Sequence, residues 1–204
     1  MIDYFALLNE ERRPWLDPDS LKQKFVAVSA QSHPDRVHSA GKQEKGAAQE
    51  DYTLLNSAYN CLRDPKERLL HLLELEYGNK PQQVQNIPAD LMDLLLEVSR
   101  LCREADTIAM EKAKASSPLL EVQLFEKAQA STEELLALQK KLAVRYDALM
   151  IELKTLDSEW QENRRSPRES LVPILARLEE LYRLFSFFAR WRGQVQERIV
   201  QLAF

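Results

Sequence analysis

Two side chains that could do chemistry, an imidazole and a carboxylate, flank a single proline in His33-Pro34-Asp35. Pro34 fixes its own φ angle and disfavours helical backbone at His33, so a preceding helix must end before the tripeptide and His33 must be extended. A segment held in this way loses little entropy when it docks on another molecule. The pattern is typical either of a tight turn with an Asp cap or of a rigid contact presented to a partner.

Two amphipathic helical patterns enclose the tripeptide. Upstream, Leu21, Phe25 and Val28 recur at helical spacing, and Lys22 and Lys24 are turned away from this apolar stripe. The downstream stripe consists of Tyr52, Leu55, Tyr59 and Leu62. The sequence between the two patterns is polar, contains glycine and has no period. Each stripe needs a partner face to leave water, so the two helices are predicted to fold back on each other.

Aspartates mark the helix starts of this region. Asp17-Pro18 and Asp64-Pro65 are both typical starts, because Asp caps the first turn and proline at the first helical position costs no hydrogen bond. Asp3 is a third predicted cap, for a short first helix. The helix that follows Asp64 is predicted to stop at Tyr77-Gly78-Asn79.

The order of these elements resembles the J-domain of DnaJ-type co-chaperones. The motifs that carry the resemblance are Tyr4-Phe5-x-x-Leu8, Asp17-Pro18, Leu21-x-x-x-Phe25, His33-Pro34-Asp35-Arg36, Leu55-Asn56-x-Ala58-Tyr59-x-x-Leu62 and Asp64-Pro65-x-x-Arg68. More narrowly, the sequence is similar to the HscB branch, the J-proteins of iron–sulfur cluster assembly. In that branch the domain ends in a leucine-rich run like residues 68–75 and is followed by a small helical bundle.

The resemblance implies a role in regulating another protein's catalysis. J-domains bind the ATPase region of DnaK-class chaperones and accelerate ATP hydrolysis, which closes the chaperone on its client. By this resemblance, His33, Pro34, Asp35 and Arg36 contact the chaperone, together with Lys22 and Lys24. In the HscB branch the chaperone is HscA or its equivalent, and the client is the scaffold protein that carries a nascent iron–sulfur cluster. The partners expected are therefore a DnaK/HscA-class chaperone ATPase and an iron–sulfur scaffold protein.

Composition bounds the fold class. The chain has 204 residues, 45% of them hydrophobic, and only four glycines, which favours an all-α protein with a real core. We expect an N-terminal J-domain, a helical hairpin with short flanking helices, followed by an elongated antiparallel three-helix bundle. The proposed division is a J-domain at 1–77, a linker at 78–88 and the bundle at 89–204. The linker contains prolines, asparagines and glutamines and has no apolar period.

Charge, hydropathy and motif content exclude several classes of function. The net charge of −4 argues against nucleic acid as a partner, and no apolar run approaches the length of a membrane span. No Gly-rich phosphate loop, nucleophile elbow or metal-ligand cluster appears, so we expect no cofactor and no enzyme activity. The two cysteines, Cys61 and Cys102, are single residues on helical patterns and are expected to be buried thiols in a reducing compartment. The expected location is the cytoplasm, or the mitochondrial matrix if a targeting segment has been removed.

The bundle offers a second candidate site at its start. In the HscB branch the scaffold binds a Leu-Met-acidic segment on the first bundle helix, and Leu91-Met92-Asp93 and Leu95 stand at those positions. The alternative is that Leu91 and Leu95 are core, whereas Met92 lies off the apolar stripe, which favours a binding role. The branch's acidic stretch is poorer in carboxylates here, and residues 111–130 look like an insertion.

One further pattern leaves an alternative open. The aromatic run Phe185, Phe187, Phe188 and Trp191 is either core or a binding patch, and its helical spacing favours core. His71 is predicted to lie on a helix surface.

For function, the first hypothesis is an iron–sulfur co-chaperone. The second is a J-domain protein whose bundle is a structural or assembly module for another client, with no cluster chemistry.

Overall fold

The computed structural model describes residues 1–30, 42–81 and 88–203. Within these ranges all regular structure is helical, which confirms the all-α fold class. The helices are α1 (Tyr4–Leu7), α2 (Pro18–Ser29), α3 (Lys42–Arg63), α4 (Pro65–Tyr77), α5 (Met92–Lys112), α6 (Pro118–Asn163) and α7 (Val172–Ala203), with short 3-10 helices at Ala89–Leu91 and Arg168–Leu171. None of the helices in the described ranges has the length and apolar content needed to cross a membrane.

All three predicted aspartate caps are present. Asp3 accepts hydrogen bonds from the backbone N–H groups of Phe5 and Ala6, and Asp17 accepts one from Ser20 at 2.8 Å. Asp64 accepts one from the N–H of Glu67 at 3.0 Å. Each such bond satisfies a donor that the first helical turn leaves unpaired, which stabilises a helix by about 1 kcal/mol.

The chain forms two compact units. Unit 1 contains Met1–Gln82 together with Ile151–Arg183, and unit 2 contains Gln83–Met150 together with Leu184–Phe204. The N-terminal helices therefore share a unit with the end of α6 and the start of α7, two segments that the sequence analysis assigned to the bundle. As a division into functional modules, the boundaries at residues 77 and 89 stay a prediction.

In unit 1, helices α1, α2 and α4 each pack against α3. The rings of Phe25 and Tyr59 stack with their centres 4.4 Å apart, so α2 and α3 do fold back on each other. Arg68 is buried, and its guanidinium donates hydrogen bonds to the carbonyl oxygens of Pro14 and Leu62. The Leu62 carbonyl belongs to the last turn of α3, where carbonyl groups lack a partner within the helix. The Arg68 guanidinium therefore also supplies a hydrogen-bond donor to the end of α3.

The prediction that His71 lies on the helix surface is wrong. His71 is buried in α4, and its Nε2 accepts a hydrogen bond from the backbone N–H of Tyr4 at 3.0 Å. Its ring stacks on those of Tyr4 and Phe5, with centroid distances of 4.6 and 5.8 Å. Burial lowers the pKa of His71, which favours the neutral imidazole that this acceptor role requires. His71 therefore accepts a hydrogen bond from the first residue of α1, which lies 67 residues away in sequence.

The last part of α6 is held within unit 1 by a buried carboxylate. Asp157 accepts hydrogen bonds from Nε and Nη2 of Arg13 and from the backbone N–H of Trp15. One turn further along α6, the indole N–H of the buried Trp160 donates to the carbonyl oxygen of Arg12 at 3.0 Å. The connection between α1 and α2 is therefore anchored on α6 by polar contacts as well as by packing.

In unit 2, the parts of α5, α6 and α7 that it contains form an up-down-up arrangement. Helices α6 and α7 are antiparallel, because Gln139 bonds to Gln196 and, further along α6, Tyr146 contacts Phe185. Glu97 of α5 pairs with Lys141 of α6, and further along α5, Arg100 pairs with Glu134, so α5 and α6 are antiparallel. The core includes the aromatic run: Phe185, Phe188 and Trp191 are buried and Phe187 is partly buried, which confirms the core interpretation. Helix α6 is continuous over 46 residues, as the absence of Gly and Pro within it favours.

Candidate functional site

The two lysines of α2 do not form one cationic patch. The Nζ atom of Lys24 lies 3.2 Å from the carbonyl oxygen of Asn9 and 3.0 Å from a carboxylate oxygen of Glu10. Asn9 has a left-handed backbone, with φ of 51°, and it ends the first helix. Lys24 therefore joins α2 to the turn after α1, and Lys22 is the exposed lysine of this helix.

The exposed face of α2 has a strong apolar component. Val26 lies one turn beyond Lys22 and is 55% exposed, and Ala27 beside it is also exposed. Asp19, in the first turn, offsets the charge of Lys22. A partner that contacts this face meets one cation beside an aliphatic surface, so charge steering depends mainly on Lys22.

The predicted chaperone-binding residues His33, Pro34, Asp35 and Arg36 lie outside the described residues. The structure places the two helices that enclose them, since α2 ends at Ser29 and α3 begins at Lys42. The role of the tripeptide therefore stays a prediction.

The predicted scaffold-binding residues separate into core and surface. Leu91 is buried in the core of unit 2, and Leu95 is partly buried against that core. Met92 is 43% exposed, as its position off the stripe predicts. Leu96 is 60% exposed and lies one helical turn after Met92, so the two side chains are neighbours on the surface of α5. Sequence reasoning missed Leu96, although its i, i+4 spacing from Met92 could have shown it.

The comparison with curated proteins gives a partial match to one kind of co-chaperone. The chain is 40% identical over 72 residues to the "Co-chaperone protein HscB homolog" of Paraburkholderia phymatum and to that of Burkholderia mallei. Each match covers 35% of this chain and 41% of the relative, so the chain spans about two fifths of the length of these relatives. No family model matches the chain.

The comparison with solved structures covers nearly the whole chain. The crystal structure of the human co-chaperone protein HscB matches with a TM-score of 0.61 and 18% identity, over 96% of this chain and 81% of that one. The chaperone HscB from Vibrio cholerae matches with a TM-score of 0.52 and 21% identity, over 96% of both chains. At these identities the structural match shows the fold alone. The sequence over 72 residues and the fold over nearly the whole chain are thus both similar to those of HscB co-chaperones.

Proposed function

We propose that this protein is a co-chaperone that docks on a DnaK/HscA-class chaperone through α2 and the segment that follows it, and stimulates the chaperone's ATPase. The client it delivers is an iron–sulfur scaffold protein, held on α5. The observation that carries the proposal is His33-Pro34-Asp35 between two helices that pack against each other, in a chain similar to HscB co-chaperones.

The packing of unit 1 holds together the two helices that enclose this tripeptide. The stacked rings of Phe25 and Tyr59 fix α2 against α3, and Lys24 fixes α2 to the turn after α1. Both helices that enclose the tripeptide therefore belong to the same unit. Helices that are already packed need not be ordered on docking, which lowers the entropy cost of a small and transient contact.

The direct test is single-turnover ATP hydrolysis by a DnaK-class and an HscA-class chaperone, with and without this protein. Hydrolysis should accelerate with at least one of them, and the acceleration should saturate as the protein concentration rises. Unchanged hydrolysis with both chaperones would overturn the proposal. Acceleration without binding of an iron–sulfur scaffold would instead support the second hypothesis, another client.

Charge reversal at Lys22 should slow the encounter with the chaperone. Lys22→Glu changes an exposed side chain, so the association rate at low salt should fall several-fold while the melting temperature hardly changes. The effect should shrink at physiological ionic strength, where the Debye length is about 8 Å. Stopped-flow association at several salt concentrations measures this difference.

Lys24→Gln is the matched comparison. This change removes the ion pair with Glu10, so it should reduce stability by about 0.5–1 kcal/mol and alter the salt dependence of association less than Lys22→Glu does. Equal low-salt association rates for Lys22→Glu and the parent would remove the exposed face of α2 from the interface.

Truncation of Met92 should weaken scaffold binding without weakening the fold. Because Met92 is largely surface, Met92→Ala should cost about 1–2 kcal/mol of binding free energy, as for a moderate interface anchor. The buried neighbour Leu91 provides the contrast, since Leu91→Ala should cost about 2–5 kcal/mol of folding free energy. Titration calorimetry with an iron–sulfur scaffold protein and chemical denaturation separate the two effects. Parental affinity in a stable Met92→Ala variant would exclude Met92 from the site.

A further inference from the structure

The outward face of α5 presents three large side chains in one row. Met92, Leu96 and Arg103 are all exposed. Successive residues of a helix are about 100° apart, so the three lie within about 40° of one another around the helix axis. The residues on the opposite side are buried in the core of unit 2, namely Leu94, Val98, Leu101 and Ala105. The three exposed residues, here called the α5 row, therefore share one solvent-exposed face of a single helix.

Arg103 differs from the neighbouring arginine of α5 in its charge partners. Arg100 contacts a carboxylate oxygen of Glu104 at 2.9 Å and one of Glu134 at 3.5 Å. Arg103 forms no ion pair in the part of the chain that the structure describes. The nearby carboxylate of Asp93 lies on a flank of the helix, about 80° from Arg103 around the axis and about 15 Å along it. The α5 row therefore carries one positive charge and no carboxylate.

The guanidinium of Arg103 is held on its own helix. Its Nε donates a hydrogen bond to the carbonyl oxygen of Ser99 at 3.0 Å, one turn closer to the start of α5. The side chain therefore lies along the helix toward Leu96, which is the direction that long side chains favour on helices. Because this bond fixes the group before a partner arrives, less entropy is lost when its two terminal nitrogens bind a carboxylate.

Charge and spacing determine which partner fits the α5 row. Met92 and Leu96 form an adaptable apolar contact, since methionine repacks easily against different surfaces. Seven residues of helix, about 10 Å, separate Leu96 from Arg103. The planar guanidinium favours a carboxylate, which can accept two parallel hydrogen bonds from it. A matching partner surface therefore has an apolar group and, about 5–10 Å away, an acidic side chain.

Two other occupants match the α5 row less well. A second copy of the chain does not supply the carboxylate from the same row, because the row contains none. Recognition of an anionic membrane surface takes a cluster of about four to eight basic side chains, and the row has one. A protein with an acidic side chain beside an apolar spot is complementary to both parts of the row.

We propose that the client-binding face of α5 extends from Met92 and Leu96 to Arg103, and that Arg103 pairs with a carboxylate of the client. This inference rests on the proposed function, which places the client on α5, and it specifies the charge of the client surface that binds there. The acidic segment of the HscB branch would favour a basic client surface at this place, so Arg103 sets a different specificity.

Titration calorimetry with an iron–sulfur scaffold protein tests the role of Arg103. Arg103→Glu should weaken binding about tenfold, and Arg103→Lys, which keeps the charge but loses the planar fork, should weaken it less. The affinities of the parent and the Arg103→Glu variant should approach each other as salt rises, because screening reduces the effect of the charge. Arg145→Glu is the matched control. Arg145 is exposed on α6 and lies outside the row, so the same change in net charge there should leave binding unchanged.

Charge exchange between the two proteins identifies the carboxylate. Each exposed Asp and Glu of the scaffold protein is replaced singly by Lys. At least one of these scaffold variants should bind the Arg103→Glu variant more tightly than it binds the parent, because opposite charges then face each other again. A scaffold protein with no such position would overturn the proposal.

The outcomes separate this proposal from the proposed function. Parental affinity in a folded Arg103→Glu variant, or an equal loss in the Arg145→Glu control, would overturn the role of Arg103. Weaker binding by Met92→Ala would in that case still support a client on α5. Absence of binding by the parent would overturn the client assignment as well. Circular dichroism melting checks the fold, and Arg103→Gln is the substitute if Arg103→Glu is unstable.

Two other results would assign the α5 row to a different occupant. A concentration-dependent dimer in sedimentation velocity that Leu96→Ser abolishes would assign the row to a second copy of the chain. Co-sedimentation with phosphatidylserine vesicles that Arg103→Glu abolishes would assign it to a membrane surface. Either result would overturn the proposed acidic client.

Discussion

Replacement of Asp157 by Asn is expected to lower the free energy of unfolding by about 2–4 kcal/mol. The carboxylate is almost completely buried and accepts three hydrogen bonds, two of them from Arg13. Loss of one partner of a fully buried ion pair costs about 3–5 kcal/mol, because the other charge is left unpaired. The side chain of Arg13 is 33% exposed, so water can solvate the orphaned guanidinium in part, and the expected cost is correspondingly smaller.

Glu159→Gln is the control for this prediction. Glu159 lies two residues further along α6 and is exposed, so the same chemical change there should alter stability by less than about 0.5 kcal/mol. Urea denaturation followed by circular dichroism measures both variants. A loss below about 1 kcal/mol for Asp157→Asn would mean that the contact with Arg13 adds little to the fold.

Replacement of His33 by Gln is expected to reduce stimulation of the chaperone's ATPase to the basal rate. Gln keeps a polar side chain of similar size but lacks the imidazole that the J-domain resemblance assigns to the contact. A residue of a connecting segment contributes little to core packing, so the melting temperature should stay within a few degrees of the parent value. Single-turnover hydrolysis with the chaperone measures the loss.

His38→Gln makes the matched comparison, because His38 is the other imidazole of the same connecting segment. It should retain stimulation if the effect belongs to the His-Pro-Asp tripeptide and not to any histidine there. Full stimulation by a folded His33→Gln variant would be incompatible with a J-protein mechanism. Equal losses in both variants would show that the segment as a whole matters and the tripeptide does not.

The parts of the fold that follow local rules could be predicted from the sequence. The Asp-Pro pairs at residues 17–18 and 64–65 mark the starts of α2 and α4, and the structure shows both caps. Gly78 ends α4 in a left-handed conformation, with φ of 75°, as the sequence indicates. These features depend only on residues within one helical turn of each other, so their signal is complete in a short stretch of sequence.

The contacts that the sequence did not reveal join distant residues. The acceptor role of His71 depends on α1, and the burial of Asp157 depends on a segment 144 residues earlier. Neither side chain has a local pattern that distinguishes it from a solvated helix residue. Lys24 belongs to the same class, since its pairing with Glu10 follows from the packing of α2 and not from its position in the apolar period.

The membership of residues 151–183 in unit 1 has a consequence for synthesis of the chain. The helices that surround α3 are translated first, but the carboxylate that binds Arg13 and the N–H of Trp15 follows about 75 residues after Gln82. At about 5–20 residues per second, that carboxylate is added roughly 4–15 s later. During this interval the α1–α2 connection lacks its partner on α6, so the Arg13 guanidinium and the Trp15 N–H have to be solvated by water. Completion of this unit is therefore a late event in translation, because residues 151–183 are translated well after α1 to α4.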